Sequence, residues 1–351
     1  VAWICRGTNL RSVYILEIPM SGNKSRVFVA KILLVFVAFV WGVTFLPVAK
    51  SVESVGVFSF LFWRFLVASL CMFLAVVFVV FFSFVKRAGV FDLKSKFDTK
   101  SILLGGFVGC FLFLGYAFQT FALKFSASSV VAFITGFNVI LVPFLLFFSG
   151  KKLGFFEVLA GVLALFGLYF LSGVGFGEVS VGATGGAVNS NFDTNGGFFG
   201  RFFSSIKGEF LAFLCAVSFS LHIIFTGVFA KKVKAECFCV AQFALVAVFC
   251  FLGSFFMPKG AHAVVANLEF VATPLFLASV LLCAVVATVV AFFVQTWAQN
   301  FVPASQTAVI FITEPIFALA VGVWFGGEKF SLLQLAGCAL ILAGVFFSEK
   351  K

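Results

Sequence analysis

The sequence predicts an all-α membrane protein of ten transmembrane helices, arranged as two inverted five-helix repeats. Three observations predict it. Of 351 residues, 63% are apolar and only 11% charged, a balance that requires the bilayer as solvent for most of the chain. Ten apolar runs are long enough to cross that bilayer. One stretch is also written twice: QTFALKFSASSVVAFITGFN at 119–138 returns as QTWAQNFVPASQTAVIFITE at 295–314. At a constant offset of 176, Gln119/Gln295, Thr120/Thr296, Ala122/Ala298, Phe125/Phe301, Ser129/Ser305, Ala132/Ala308 and Ile134/Ile310 coincide, and the match resumes at Gly150/Gly326 and Ala160-Gly161/Ala336-Gly337.

The runs follow in order. The first, 31–49, lies between the basic residues Lys24, Arg26 and Lys31 and the single Lys50. The second, 57–82, stops before Lys86-Arg87, and the third, 102–121, starts just after Lys100. The fourth, 127–148, ends before Lys151-Lys152, and the fifth is 155–172. The sixth, 209–230, ends at Lys231-Lys232, and the seventh, 237–256, precedes Lys259. The eighth, ninth and tenth are 272–297, 303–325 and 331–348. Inside a bilayer each backbone must satisfy its own hydrogen bonds, so the runs are helices. They lack the alternation over about ten residues that barrel strands show.

Orientation follows from Lys and Arg. With the N-terminus inside, the inner segments hold 17 basic residues and the outer segments six: Lys50, Lys124, Arg201, Lys207, Lys259 and Lys329. That bias places both termini in the cytoplasm of a multi-pass cell-membrane protein. The same loops account for the net charge of +11, so nucleic acid is not an expected partner.

Residues 173–208 are rich in Gly, Ser and Asn and carry no apolar periodicity. They read as a flexible outer linker between a first repeat, 31–172, and a second, 209–348. Five spans per half is an odd number, so the halves must sit upside down relative to each other. Residues 1–30 form an N-terminal cytoplasmic segment and 349–351 a cytoplasmic tail. Position 1 is Val, and Met20 opens MSGNKSRVFVAKILL; a GTG start codon translated literally would explain this, and so would a start placed too early, with 1–19 then expected to be absent from the cellular protein.

Several motifs resemble the drug/metabolite transporter superfamily, in its EamA-type ten-helix branch. The first span carries Trp41-Gly42 and Lys50, and the second carries Arg64-Phe65-Leu66-Val67-Ala68. The last two give Ala308…Glu314-Pro315, then Gly327-Glu328, then Ala336-Gly337…Leu340-Ile341…Gly344. The resemblance runs over about 31–348 and implies transport of small metabolites. The halves have diverged: Glu314-Pro315 and Gly327-Glu328 face Asn138-Val139 and Lys151-Lys152 at the same offset.

The candidate substrate-binding residues are Glu314, Asn138, Trp41, His222 and Arg64. Glu314 lies about 16 Å past Pro303 at 1.5 Å per residue, near the midplane. A charge there costs about 2.5–3.5 kcal/mol on insertion scales unless it faces a cavity or partner, so Glu314 is the candidate for proton coupling. The alternative is a carboxyl bonding a neighbouring helix. Asn138 holds the equivalent place in the first repeat, as a substrate contact or an interhelical hydrogen bond. Arg64, about seven residues into its span, can snorkel to the outer surface. His222 and Trp41 lie mid-span, where packing is the ordinary alternative for each. Gln119 and Gln295 read as structural, and Glu328 as a loop anchor.

No GxxxxGK[ST] loop, HExxH pair or GxSxG elbow is present, so neither nucleotide hydrolysis nor those hydrolytic chemistries is expected. Nine Cys are scattered, mostly in apolar runs, beside only two His; they read as small packing residues, with no metal or cofactor. The expected function is a secondary transporter, not an enzyme, moving a small metabolite or drug-like molecule by alternating access, with the lipid bilayer as its other partner. A membrane-integral lipid-acting enzyme or a channel or scaffold are the competing classes. Two joined halves make a monomer sufficient and are compatible with a homodimer.

Overall fold

The computed structural model describes residues 23–55, 57–87, 98–122, 125, 128–150, 154–172, 198–256, 274–326 and 331–348. Among them every regular element is helical. Eight helical stretches are long and apolar enough to cross a membrane, and two shorter apolar helices, Phe155–Leu171 and Leu332–Ser348, complete ten.

The first repeat comprises α1 (Asn23–Val55), α2 (Val57–Arg87) and α3 (Thr99–Ala122), then α4 (Ser128–Thr135), α5 (Asn138–Phe148) and α6 (Phe155–Ser172). The second comprises α7 (Phe198–Phe229), α8 (Ala235–Ser254), α9 (Pro274–Leu281), a π-helical segment (Leu282–Val290), α10 (Ala291–Ala298), α11 (Ala304–Phe311), α12 (Glu314–Gly326) and α13 (Leu332–Ser348). Helix α7 starts at Phe198, so residues 198–208, read from the sequence as linker, are helical. The Gly and Asn content that suggested a linker belongs to 173–197, outside the described residues. So do residues 1–22, where the early-start reading falls, and Glu328.

The duplication reproduces a break in the helix. In the fourth span the helix stops at Thr135 and resumes at Asn138; in the ninth it stops at Phe311 and resumes at Glu314. Each boundary lies 176 residues from its mate. At both breaks the backbone tightens to a three-residue bond, from Phe137 N–H to Ile134 O and from Thr313 N–H to Ile310 O, each 3.1 Å. Asn138 and Glu314 are thus the first residues of two half-helices in the membrane interior.

The repeats interlock. Helix α2 packs on α8, α3 on α7 and α8, and α6 along α13. Small residues set the last contact. A Cβ on Gly167 would lie 2.6 Å from the Gly337 carbonyl oxygen, and one on Gly337 would lie 2.5 Å from the Gly167 oxygen. In lipid, where apolar burial drives little, such backbone approach supplies the van der Waals contact that joins helices. Helix α1 runs against α12, α10, α11 and the π segment. Gly42 makes room there, because a Cβ would come within 2.7 Å of the Glu314 carbonyl oxygen.

One end of the bundle holds a polar belt. Asp98 caps α3, accepting bonds from the Lys100 and Ser101 N–H groups at 3.2 Å each and from the Ser101 hydroxyl at 2.6 Å. Partial burial works to raise the Asp98 pKa, but the Ser101 and backbone bonds, with the Lys234 charge, leave it below its ordinary value. Lys234 N–H donates to Ser101 Oγ at 2.8 Å, which ties α3 to the α7–α8 connection. At the same end Ser305 donates to Glu157 Oε1 and Gln306 to the Ser348 carbonyl, both at 2.8 Å. These bonds join the starts of α6 and α11 and the end of α13.

Candidate functional site

The site grows from a fault in the eighth span. A regular α-helix would send the Ala291 N–H to the Ala287 carbonyl. Here Ala291 N–H reaches back to Val286 O instead, and the next carbonyl taken up is Thr288 O. Ala287 O is left outside the helical ladder, and two side chains from the first repeat take it up. Trp41 Nε1 donates to it at 2.8 Å and Arg64 Nη2 at 3.3 Å. Such π-bulges occur frequently at functional sites, because they free backbone groups without ending the helix.

Arg64 sits on this segment. Its Nε donates to Thr288 Oγ1 at 2.8 Å, and Nη2 also donates to Tyr116 Oη at 3.1 Å. Thr288 Oγ1 in turn donates to Cys283 O at 2.8 Å, so its lone pairs face the guanidinium. The guanidinium carbon lies 5.0 Å from the Tyr116 ring centre and 5.5 Å from that of Phe65. Arg64 is 4% exposed. It does not snorkel outward, as its place in the span suggested. The interior acceptors of the π segment hold it in.

What Arg64 leaves undone matters as much. A guanidinium carries five N–H donors, and the bonds above occupy only Nε and Nη2. Among the described residues Nη1 has no hydrogen-bond acceptor, and the atom is not fully buried. Among the described residues no ion pair reaches the group.

Glu314 stands in the same interior. It is half-buried, its carboxyl makes no hydrogen bond among the described residues, and neither oxygen is sealed off. Its carboxyl lies within electrostatic range of Arg64, Tyr116 and Cys215, which places it on the inward side of α12. Asn138, at the matching half-helix start, is likewise half-buried, with an amide that bonds no described residue. Trp41 forms one wall, its ring 4.9 Å from that of Phe311 and 5.4 Å from that of Phe292.

His222 is placed differently. It is 2% exposed, and its Nε2 lies 2.8 Å from Gln242 Oε1. Its ring meets Phe292 at 5.5 Å, so Phe292 stands between His222 and Trp41. Gln295 is buried and donates to Gln299 at 3.4 Å, and Gln299 donates to the Ile223 carbonyl at 2.9 Å. The structure therefore brings Trp41, Arg64 and Glu314 together and encloses His222 behind an aromatic ring.

Sequence reasoning missed Tyr116 and Thr288. One signal was available. Tyr116 and Phe292 are equivalents at the offset of 176, and a hydroxyl that appears in one repeat copy and not in the other marks a position freed from symmetry.

Ten apolar helices in two repeats, with a cation and a carboxyl lodged between them, define a membrane transport protein. The EamA-like transporter family model matches residues 29–173 and again 206–349, and the chain belongs to that family. It is 28% identical over 314 residues to an "Uncharacterized transporter" of Archaeoglobus fulgidus, across 89% of this chain and 83% of that protein. A solved structure, titled only "Crystal structure of protein", is similar in fold, with a TM-score of 0.63 and 19% identity over 92% of this chain and 97% of that one.

Proposed function

We propose that the protein is a secondary transporter that carries a small metabolite or drug-like molecule across the cell membrane by alternating access. The observation that carries this reading is a pair of polar groups that bond no described residue, Arg64 Nη1 and the Glu314 carboxyl, held in one interior between two repeats. Lipid does not tolerate such groups on its own side, and a rigid scaffold would have paired them. They suit a solute that comes and goes.

In this reading the substrate lies between Trp41, Arg64 and Glu314, with Asn138 approaching from the other half-helix start and His222 positioning Phe292 from behind. The Asp98–Ser101–Lys234 and Glu157–Ser305 belt marks the cytoplasmic end, with both termini on that side, because the basic loops cluster there. Glu314 is the group through which protons would couple to flux. A monomer contains both repeats and suffices; a homodimer would place one such site in each copy.

The test is flux. Purified protein in liposomes, screened against a metabolite panel with and without a pH gradient, is expected to carry at least one solute in a protein-dependent and saturable way. Single cysteines on a Cys-free background should label from inside at 86–100 and from outside at 173–197. Absence of any protein-dependent flux, or the reverse labelling pattern, overturns the reading.

A further inference from the structure

We infer that the π segment at Leu282–Val290 is a seat that presents the free edge of Arg64 to a small organic carboxylate, and that this anion and the charge on Glu314 are alternatives. This rests on the transporter reading above and names the substrate class of that site.

The first half of the inference is charge accounting. Arg64 is a buried cation whose bonds all go to neutral acceptors: the Thr288 hydroxyl, the Tyr116 phenol and the Ala287 carbonyl. An uncompensated charge in a bilayer interior is costly, and an anion against it recovers much of that cost. Nη1 keeps two free N–H donors, and a carboxylate oxygen against either makes a charge-assisted hydrogen bond, stronger than one to a neutral acceptor. Nε and Nη2 are pinned, so the edge is fixed in direction before any ligand arrives. The Tyr116 ring lies against the guanidinium, and the Trp41 indole shares the Ala287 carbonyl with it, which suits an organic body on the carboxylate.

The second half concerns Glu314. Among the described residues, Arg64 on α2, Tyr116 on α3 and Cys215 on α7 lie within electrostatic range of its carboxyl. Of the helices packed on α12, α1 presents Trp41 and Gly42 at this level. Its Lys24, Arg26 and Lys31 lie at the far start of that helix. Helix α6 carries Glu157 at its own start, bonded to Ser305 and the Gly154 N–H. Tyr169 lies near the other end of α6, with its ring against Phe133. Arg64 is thus the single positive charge facing this interior among the described residues. One cation balances one anion. A ligand carboxylate and an ionised Glu314 together would leave the site net negative in a low-dielectric medium, and like charges that share a site shift one of them to its neutral form. The carboxylate therefore enters as Glu314 takes a proton from the water on the open side, and the site is electrically neutral whether empty or filled. Anion and proton travel in the same direction.

The experiment uses the full chain in nanodiscs, with acetate, benzoate and phenylacetate as carboxylate probes and benzamide and benzylammonium as controls of matched shape. Binding is read as a ligand-induced thermal shift, and proton exchange by calorimetry in two buffers of different ionisation enthalpy. At least one carboxylate should bind, with benzamide and benzylammonium much weaker. Its affinity should fall by up to about tenfold per pH unit where Glu314 titrates, with proton uptake on binding. Glu314→Gln should bind the same carboxylate with no pH dependence and no proton uptake. Arg64→Lys and Thr288→Val keep a cation but lose the fixed edge, and each should weaken carboxylate binding severalfold while the melting point without ligand stays within a few degrees. No response to any carboxylate, equal response to benzamide, or proton release on binding overturns the inference. A carboxylate that binds in this way but is not carried in liposomes overturns the transporter reading and leaves the site standing. A carried solute with no preference for anions does the opposite.

Discussion

Trp41 and Ala287 are joined across the two repeats: the indole N–H of one donates at 2.8 Å to a carbonyl that the other's helix has released from its own ladder. The bond explains two things at once. A Trp in the first span has a polar partner in the interior, and a carbonyl freed at mid-membrane has two donors. Trp41→Phe keeps the aromatic wall against Phe292 and Phe311 but removes the donor. Ala287 O then retains only the longer Arg64 bond, so the variant should lose about 1 kcal/mol of stability and transport more slowly. Thermal unfolding in detergent measures the first effect. A melting point equal to wild type would show that the π segment does not depend on the indole.

Gly167 and Gly337 make a second prediction. Each glycine occupies space that a Cβ would need from the other's carbonyl. Gly167→Ala must push α6 and α13 apart, at about 1–3 kcal/mol. The pair lies away from the Arg64 site, so any protein that survives should bind substrate with unchanged affinity. Unaltered stability would mean that the two helices do not meet as closely as described.

How much of this was legible beforehand depends on the kind of order involved. The spans, the duplication and the place of Asn138 and Glu314 could be read, because apolar length and repetition are properties of residue order. The matched helix breaks were half legible: Pro315 signals one, while no Pro stands at the equivalent position beside Asn138. The π segment was not legible. Leu282–Val290 is apolar except for Thr288 and has no Gly or Pro, and nothing in its residues announces an i→i+5 bond. Arg64 was accordingly read as snorkelling, since the acceptor that holds it inward is a backbone carbonyl. Thr288 and Tyr116 were missed for the same reason: each is a lone hydroxyl whose use depends on where the guanidinium goes. The helical start of α7 was missed because Gly196, Gly197 and Gly200 resemble the linker before them.

Asp98 gives a prediction outside the membrane. Its cap on α3 is worth about 1 kcal/mol by analogy with other N-caps, so Asp98→Ala should lower stability by that order and loosen the Ser101–Lys234 tie. The sign with pH follows from its pKa, held below the ordinary value. A depressed carboxylate stabilises the fold above its unfolded pKa, about 3.9, and that contribution fades as pH falls through the lower folded value. The difference between wild type and Asp98→Ala should be constant near neutrality and close only in strong acid. A difference that grew on acidification would contradict the cap.

Glu314 and Asn138 test the asymmetry between the repeats. They occupy equivalent half-helix starts, but only one of them titrates. Glu314→Gln keeps the size and one hydrogen-bonding oxygen, so it should fold normally, retain substrate binding and lose the pH dependence of flux. Asn138→Ala removes an amide that bonds no described residue, so stability should barely move. Binding should weaken by several-fold if the amide meets substrate, with the pH profile of flux unchanged. His222→Gln is the control. It can keep a bond to Gln242 and stands behind Phe292, so its pH profile should match wild type. If Glu314→Gln transports with an unaltered profile while His222→Gln loses it, the proton route runs through α7 and α8, and Glu314 is a packing residue beside a broken helix.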